Sequence, residues 1–77
     1  MAADPEMWKA FIEWCEREIA ERRSQLVPLE SGSMHTGRRG ADTNFEWVDT
    51  TATDALRLRN EIASFETVIA RNKHHVE

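Results

Sequence analysis

Apolar residues in the first third of the chain recur at helical spacing. On a wheel of 100° per residue, Met7, Trp8, Phe11, Ile12, Trp14, Cys15, Ile19 and Leu26 fall on one broad side. Within that side, Trp8, Ile12, Cys15, Ile19 and Leu26 follow alternating steps of four and three, with Arg22 taking the place between Ile19 and Leu26. Lys9, Glu13, Glu16 and Arg17 lie opposite, and Glu13 to Arg17 and Glu18 to Arg22 stand in the favourable acid-first i,i+4 order, which suits a solvated face. The start is marked by Asp4, which can accept from unpaired N–H groups, by Pro5 at a position needing no N–H, and by Glu6 at the positive end of the helix dipole. Val27 precedes Pro28, and the residue before a proline is biased away from helical dihedrals. A helix over about 5–26 is predicted.

The last third repeats the pattern. Leu58, Ile62, Phe65, Ile69 and Val76 stand at heptad spacing, with Ala55 before them, Val68 widening the stripe and Asn72 interrupting it near the end. Asn72 reads as an exposed end residue rather than a register-setting polar group. Ala52, Ala63 and Ala70 run beside the stripe and are small enough for another backbone to approach, while Arg57, Glu61, Glu66 and Arg71 form the wet side. Asp49, Thr50 and Thr51 are all competent caps, and Thr51-x-x-Asp54 resembles a capping box. This predicts a second helix over about 51–73.

Between the helices, residues 28–50 have no helical period and hold all three glycines. A connection of 23 residues exceeds what a bundle needs, and loops longer than about 12 to 15 residues carry structure, function or disorder. Leu29, Met34, Phe45, Trp47 and Val48 make two short apolar strips, with Phe45 and Trp47 at the i,i+2 spacing that places both on one face of a strand. The segment reads as a β-hairpin or extended arm, with a turn at Gly32 and a tip over Gly37-Arg38-Arg39-Gly40-Ala41-Asp42. Trp47 is either a partner-binding anchor or, the favoured reading, the plug that docks the arm on the helices.

The expected fold class is mainly α: an antiparallel helical hairpin with a short extended or β-hairpin insertion, one domain over residues 1–77, dimerising into a four-helix bundle. Two reasons point to a second copy. A chain of 77 residues builds only a marginal core, and the first helix is apolar across roughly 160° of its wheel, more than one partner helix covers. The expected dimer interface is Trp8, Phe11, Ile12, Trp14, Cys15, Ile19, Leu58, Ile62, Phe65 and Ile69. The alternative is a monomer in which Phe45, Trp47 and Val48 close the arm over the wide face as a lid.

Charge narrows the functional classes. There are 14 acidic and 10 basic side chains, the formal charge is −4, and no third of the chain is net basic, so extended phosphate binding is disfavoured. Arg38 and Arg39 are the exception: two guanidinium groups between glycines are a grip for phosphate or carboxylate, although Asp42 follows closely and an exposed turn explains them too. Cys15 is the only cysteine and reads as a reduced core residue, in keeping with a cytoplasmic protein. No basic segment with an apolar run opens the chain, and no stretch approaches the roughly 20 apolar residues of a membrane span.

His35, His74 and His75 lack metal-ligand spacing; His74 and His75 suit the negative end of a helix dipole. Glu13 and Glu16 lie on the wet face, and no phosphate loop or nucleophile–base grouping occurs, so no enzyme, cofactor or metal is expected. The layout is similar to that of short bacterial hairpin proteins, a likeness of architecture that carries no functional motif. The expected function is a non-catalytic structural or protein-interaction module, a cytoplasmic homodimer acting as adaptor or regulator on a protein partner. The alternative is a nucleic-acid-associated regulator using Arg38 and Arg39. The candidate partner contacts are Arg38, Arg39, Phe45 and Trp47.

Overall fold

The computed structural model describes residues 4–76. Helix α1 spans Pro5–Ser31, strand β1 Gly37–Arg38, strand β2 Val48–Asp49 and helix α2 Thr51–Asn72. Short 3-10 turns occupy Ala41–Thr43 and Lys73–His75. The two helices pack against each other, and β1 and β2 form a two-stranded antiparallel sheet between them in sequence, with Gly37 opposite Asp49 and Arg38 opposite Val48. The molecule measures 55 × 27 × 15 Å, so the hairpin is long and one helix thick.

Helix α1 begins as its first residues dictate: the Asp4 carboxylate accepts from the Glu6 N–H at 2.9 Å, and Pro5 fills the first turn. It does not stop near Leu26. It runs through Pro28 to Ser31, where Gly32 takes the left-handed conformation that ends it. An interior proline costs about 3 kcal/mol, but continuing the helix buries Leu29 beside Leu26 against α2, a gain of about 1.5–3 kcal/mol per side chain of this size. The Pro28 carbonyl also accepts from the Met34 N–H at 3.0 Å, which folds the chain back at the helix end.

The start of α2 also differs in detail from the expected capping box. Thr50, not Thr51, takes the cap position without a side-chain cap bond, and Asp49 just before it accepts from the Thr51 N–H at 2.8 Å. Thr51 turns its hydroxyl to the arm, where it accepts from the Thr36 N–H at 3.0 Å, and the Thr50 N–H donates to the Thr36 carbonyl at 2.9 Å. The base of the arm is therefore stitched to the first turn of α2. These bonds hold the Asp49 carboxyl below the usual range through Thr51, and the Asp54 carboxyl likewise through Thr36 and Thr50.

The core lies along the seam between the helices. Ile19, Leu26 and Leu29 from α1 cluster with Ala55, Leu58 and Ile62 from α2, with Phe65 and Ile69 packed partly against them, and Ile12 and Cys15 are buried further towards the start of α1. Only Cys15 is fully enclosed among the described residues, and burial pushes its thiol pKa up. Ala52, Ala63 and Ala70 stay exposed, and Asn72 is half-buried with its amide donating to the Val68 carbonyl at 2.8 Å.

Candidate functional site

Five of the ten positions expected at a dimer interface are used inside the hairpin: Ile12, Cys15, Ile19, Leu58 and Ile62 are buried between α1 and α2 of one chain. The other five are not enclosed. Trp8, Phe65 and Ile69 are half-buried, and Phe11 and Trp14 are exposed. The seam takes the steps of four and three, and the surplus apolar residues form a second stripe beside it.

That second stripe is an uncovered aromatic face. Met7 is 69% exposed, Phe11 39% and Trp14 44%. Trp8 meets Phe11 edge-on at 6.0 Å, Phe11 stacks near Trp14 at 6.1 Å, and Trp14 meets Phe65 of α2 edge-on at 5.7 Å. A hollow of about 410 Å³ opens between Met7, Trp8, Phe11, Val68 and Asn72. At the open end of the hairpin, His75 stacks on the Trp8 indole at 4.2 Å with the planes 10° apart, and His74 lies 4.0 Å from His75. The histidines are thus more than polar end residues: one of them covers an aromatic side chain of the other helix. Trp8 Nε1 is buried without a hydrogen-bond partner among the described residues.

Towards the arm the same side of the hairpin turns ionic. Arg22 donates through Nε to Glu61 across the helix pair at 2.7 Å and reaches Glu18 at 3.4 Å, while Arg57 pairs with the same Glu61 at 2.8 Å. The Arg22 guanidinium lies 4.9 Å from the Phe65 ring centroid and so ends the aromatic run. The hydrogen bonds from Arg22 and then Arg57 hold the Glu61 carboxyl below its usual range, and Glu61 in turn raises Arg22. Arg57 and Glu61 had read as the wet side of α2. Arg57 does stay exposed and Glu61 is half-buried, and both also join a network that bridges the helices, for which the signal was the charged residue standing in the seam at position 22. A second hollow, of about 620 Å³, runs from this network along α2 past Leu56 and Phe65.

The arm does not close over the helices. Phe45 and Val48 are exposed, and Trp47 is 54% exposed with its indole against Gly37, on its own hairpin. A methyl group at Gly37 would overlap that ring. The lid and the docking plug are therefore both corrected: Trp47 packs within the arm. Phe45 and Trp47 also do not share a strand face, because the strands are only two residues each and Asn44 and Phe45 both take positive φ, 56° and 61°. The tip is held by Thr43, whose hydroxyl accepts from the Gly40 N–H at 3.0 Å and donates to the Glu46 carbonyl at 2.8 Å, and by the Phe45 N–H on the Gly40 carbonyl at 2.8 Å.

Of the two tip arginines, Arg38 lies in β1 and pairs with Asp42 at 2.7 Å, so the arginine pair is split. Arg39 is exposed and makes no ion pair among the described residues. His35 sits beside Asp49 at 3.7 Å. Among the described residues no three metal-ligating side chains gather, and no helix is long and apolar enough to cross a membrane.

No protein-family model, curated protein or solved structure was found to match the chain. The reading of function rests on the two surfaces just described.

Proposed function

We propose that this chain is a non-catalytic interaction module that acts as a homodimer, pairing through the Met7–Phe11–Trp14 face and offering its arm to a protein partner. The observation that carries the reading is the aromatic face: three large apolar side chains lie exposed in a row on a hairpin only one helix thick. Eight buried apolar side chains among the described residues make a thin core, and a small domain of this kind relies on further burial from outside.

The area is in keeping with reversible association. Large side chains of this type bury about 150–250 Å² when fully covered, so covering the exposed parts of Met7, Phe11 and Trp14 with their neighbours Phe65 and Val68 removes on the order of 400–500 Å² from each copy. Tight complexes remove about 800 Å² per partner. A contact of that size belongs with weak, transient association. The arm is the second surface: it carries exposed Phe45, Trp47 and Arg39, and aromatic residues and arginine are enriched in protein-binding hot spots. The nucleic-acid reading draws less support, since Asp42 holds Arg38 and a lone Arg39 has no basic face around it.

Sedimentation equilibrium between about 1 and 200 μM tests the pairing, a range wide enough to reach weak association. Wild type should move from monomer to dimer and Trp14→Glu should stay monomeric while remaining helical. A wild-type protein that is monomeric across the range refutes the proposal.

A further inference from the structure

The face that pairs has two chemically different halves, and this determines how two copies fit. From Met7 to Trp14 it is apolar; from Glu18 to Arg22, with Glu61 and Arg57 opposite, it is ionic. Glu18, Arg22, Arg57 and Glu61 in this half are already paired within the chain, Glu61 receiving two guanidinium groups and Arg22 reaching two carboxylates. Removing such a network from water against another copy costs desolvation and provides no unpaired charge to meet. Glu21, one heptad beyond Trp14, is exposed and makes no ion pair among the described residues, so covering it buries a bare charge. The contact should therefore stop short of Glu18.

Three two-fold arrangements are open to a pair of flat hairpins stacked face to face. An axis running along the helices lays each half on its own equivalent and buries both ionic networks. An axis across the helices near residue 18 lays the aromatic half of each copy on the ionic half of the other. An axis across the helices at the level of Phe11 lays aromatic on aromatic, with Met7 near the partner copy's aromatic row, and leaves both networks in water. A symmetric contact in which one patch meets itself is the usual form of such dimers.

We infer that the two copies pair antiparallel about an axis at Phe11, overlapping only at their open ends, so that the two arms point away from each other. The inference rests on the proposed homodimer and adds its geometry. Its consequence is functional. From Phe11 to Ser31 is 20 residues of helix, or about 30 Å at 1.5 Å per residue, so the arm ends of α1 lie about 60 Å apart in the dimer. Arms that far apart bridge two partner molecules, rather than grip two sites on one small partner.

A pulsed-EPR distance between spin labels at Ser31→Cys in a Cys15→Ala background tests this, at a concentration where sedimentation shows dimer. Ser31 is exposed and distant from the face, so the label leaves the contact intact. If Cys15→Ala fails to fold, the same label is placed with Cys15 retained, since that thiol is enclosed. The expected distance is about 60 Å, while the axis near residue 18 gives about 40 Å from the same helical rise, and the axis along the helices gives under about 30 Å. Either shorter distance overturns the geometry and leaves the homodimer standing. A protein that sediments as monomer and shows no dipolar coupling overturns both.

Discussion

Leu56 and Leu58 are the same residue type two positions apart on α2, and the fold assigns them opposite fates. Leu58 is 2% exposed in the seam with α1; Leu56 is 54% exposed on the outer side. Truncating Leu58 to Ala loses the transfer free energy of the removed atoms and leaves a cavity that two helices of one layer can only partly close, which costs about 2–5 kcal/mol. A 77-residue chain has a total stability of roughly 4–12 kcal/mol, so the loss is a large part of it. With a urea dependence of about 1–1.5 kcal/mol/M, the midpoint should fall by at least about 1.3 M. Leu56→Ala removes atoms already half in water, leaves no cavity, and replaces Leu with the better helix former. Its cost should be no more than about 1 kcal/mol. Urea unfolding followed by circular dichroism measures both at a protein concentration below dimerisation. Equal losses would refute the assignment of the seam, and a Leu56→Ala loss exceeding that of Leu58→Ala would mean that the helices pack by another face.

Other consequences are accessible to simple measurements. Gly37→Ala should displace the Trp47 indole into water and red-shift its emission while leaving helix content unchanged, and an unaltered spectrum would contradict the packing of that ring on Gly37. Acid should destabilise the fold. Glu61, Asp49 and Asp54 have lowered pKa values in the folded chain, so their stabilisation is complete above the unfolded values and is lost as pH falls from about 4.5 through the folded values. Glu61→Gln should flatten that acid limb, and an unchanged profile would remove Glu61 from the account. Cys15 should react with a thiol reagent only on unfolding, because its sulfur is enclosed and its thiolate disfavoured; rapid labelling of the native protein would show that the seam opens.

The legible parts of this chain were those set by neighbours in sequence. Asp4 and Pro5 mark a helix start because capping acts over three residues, and the seam residues Ile12, Cys15, Ile19, Leu58 and Ile62 follow from a period of 3.6 that any amphipathic helix obeys. Pro28 misled because local bias favours a stop there, whereas the burial of Leu29 against α2 is a tertiary gain that no window around Pro28 contains. Phe45 and Trp47 misled for a related reason: i,i+2 spacing implies one strand face only if the strand exists, and Thr43 and the positive φ of Phe45 make a turn there instead.

The candidate surfaces divide in the same way. Periodicity alone showed that the first helix has more apolar width than one neighbour can cover, but it listed seam and surplus together. Which residues fall in which group depends on where α2 lies, and so does the conversion of Arg22, Glu61 and Arg57 from scattered charges into one bridging network. Helix starts, helix type and the excess of apolar surface are local properties, carried by spacing and caps. The exposed aromatic row, the ionic half that bounds it and the outward arm are relations between residues far apart in the chain, from Arg22 and Glu61 to Trp8 and His75, and only packing brings those together.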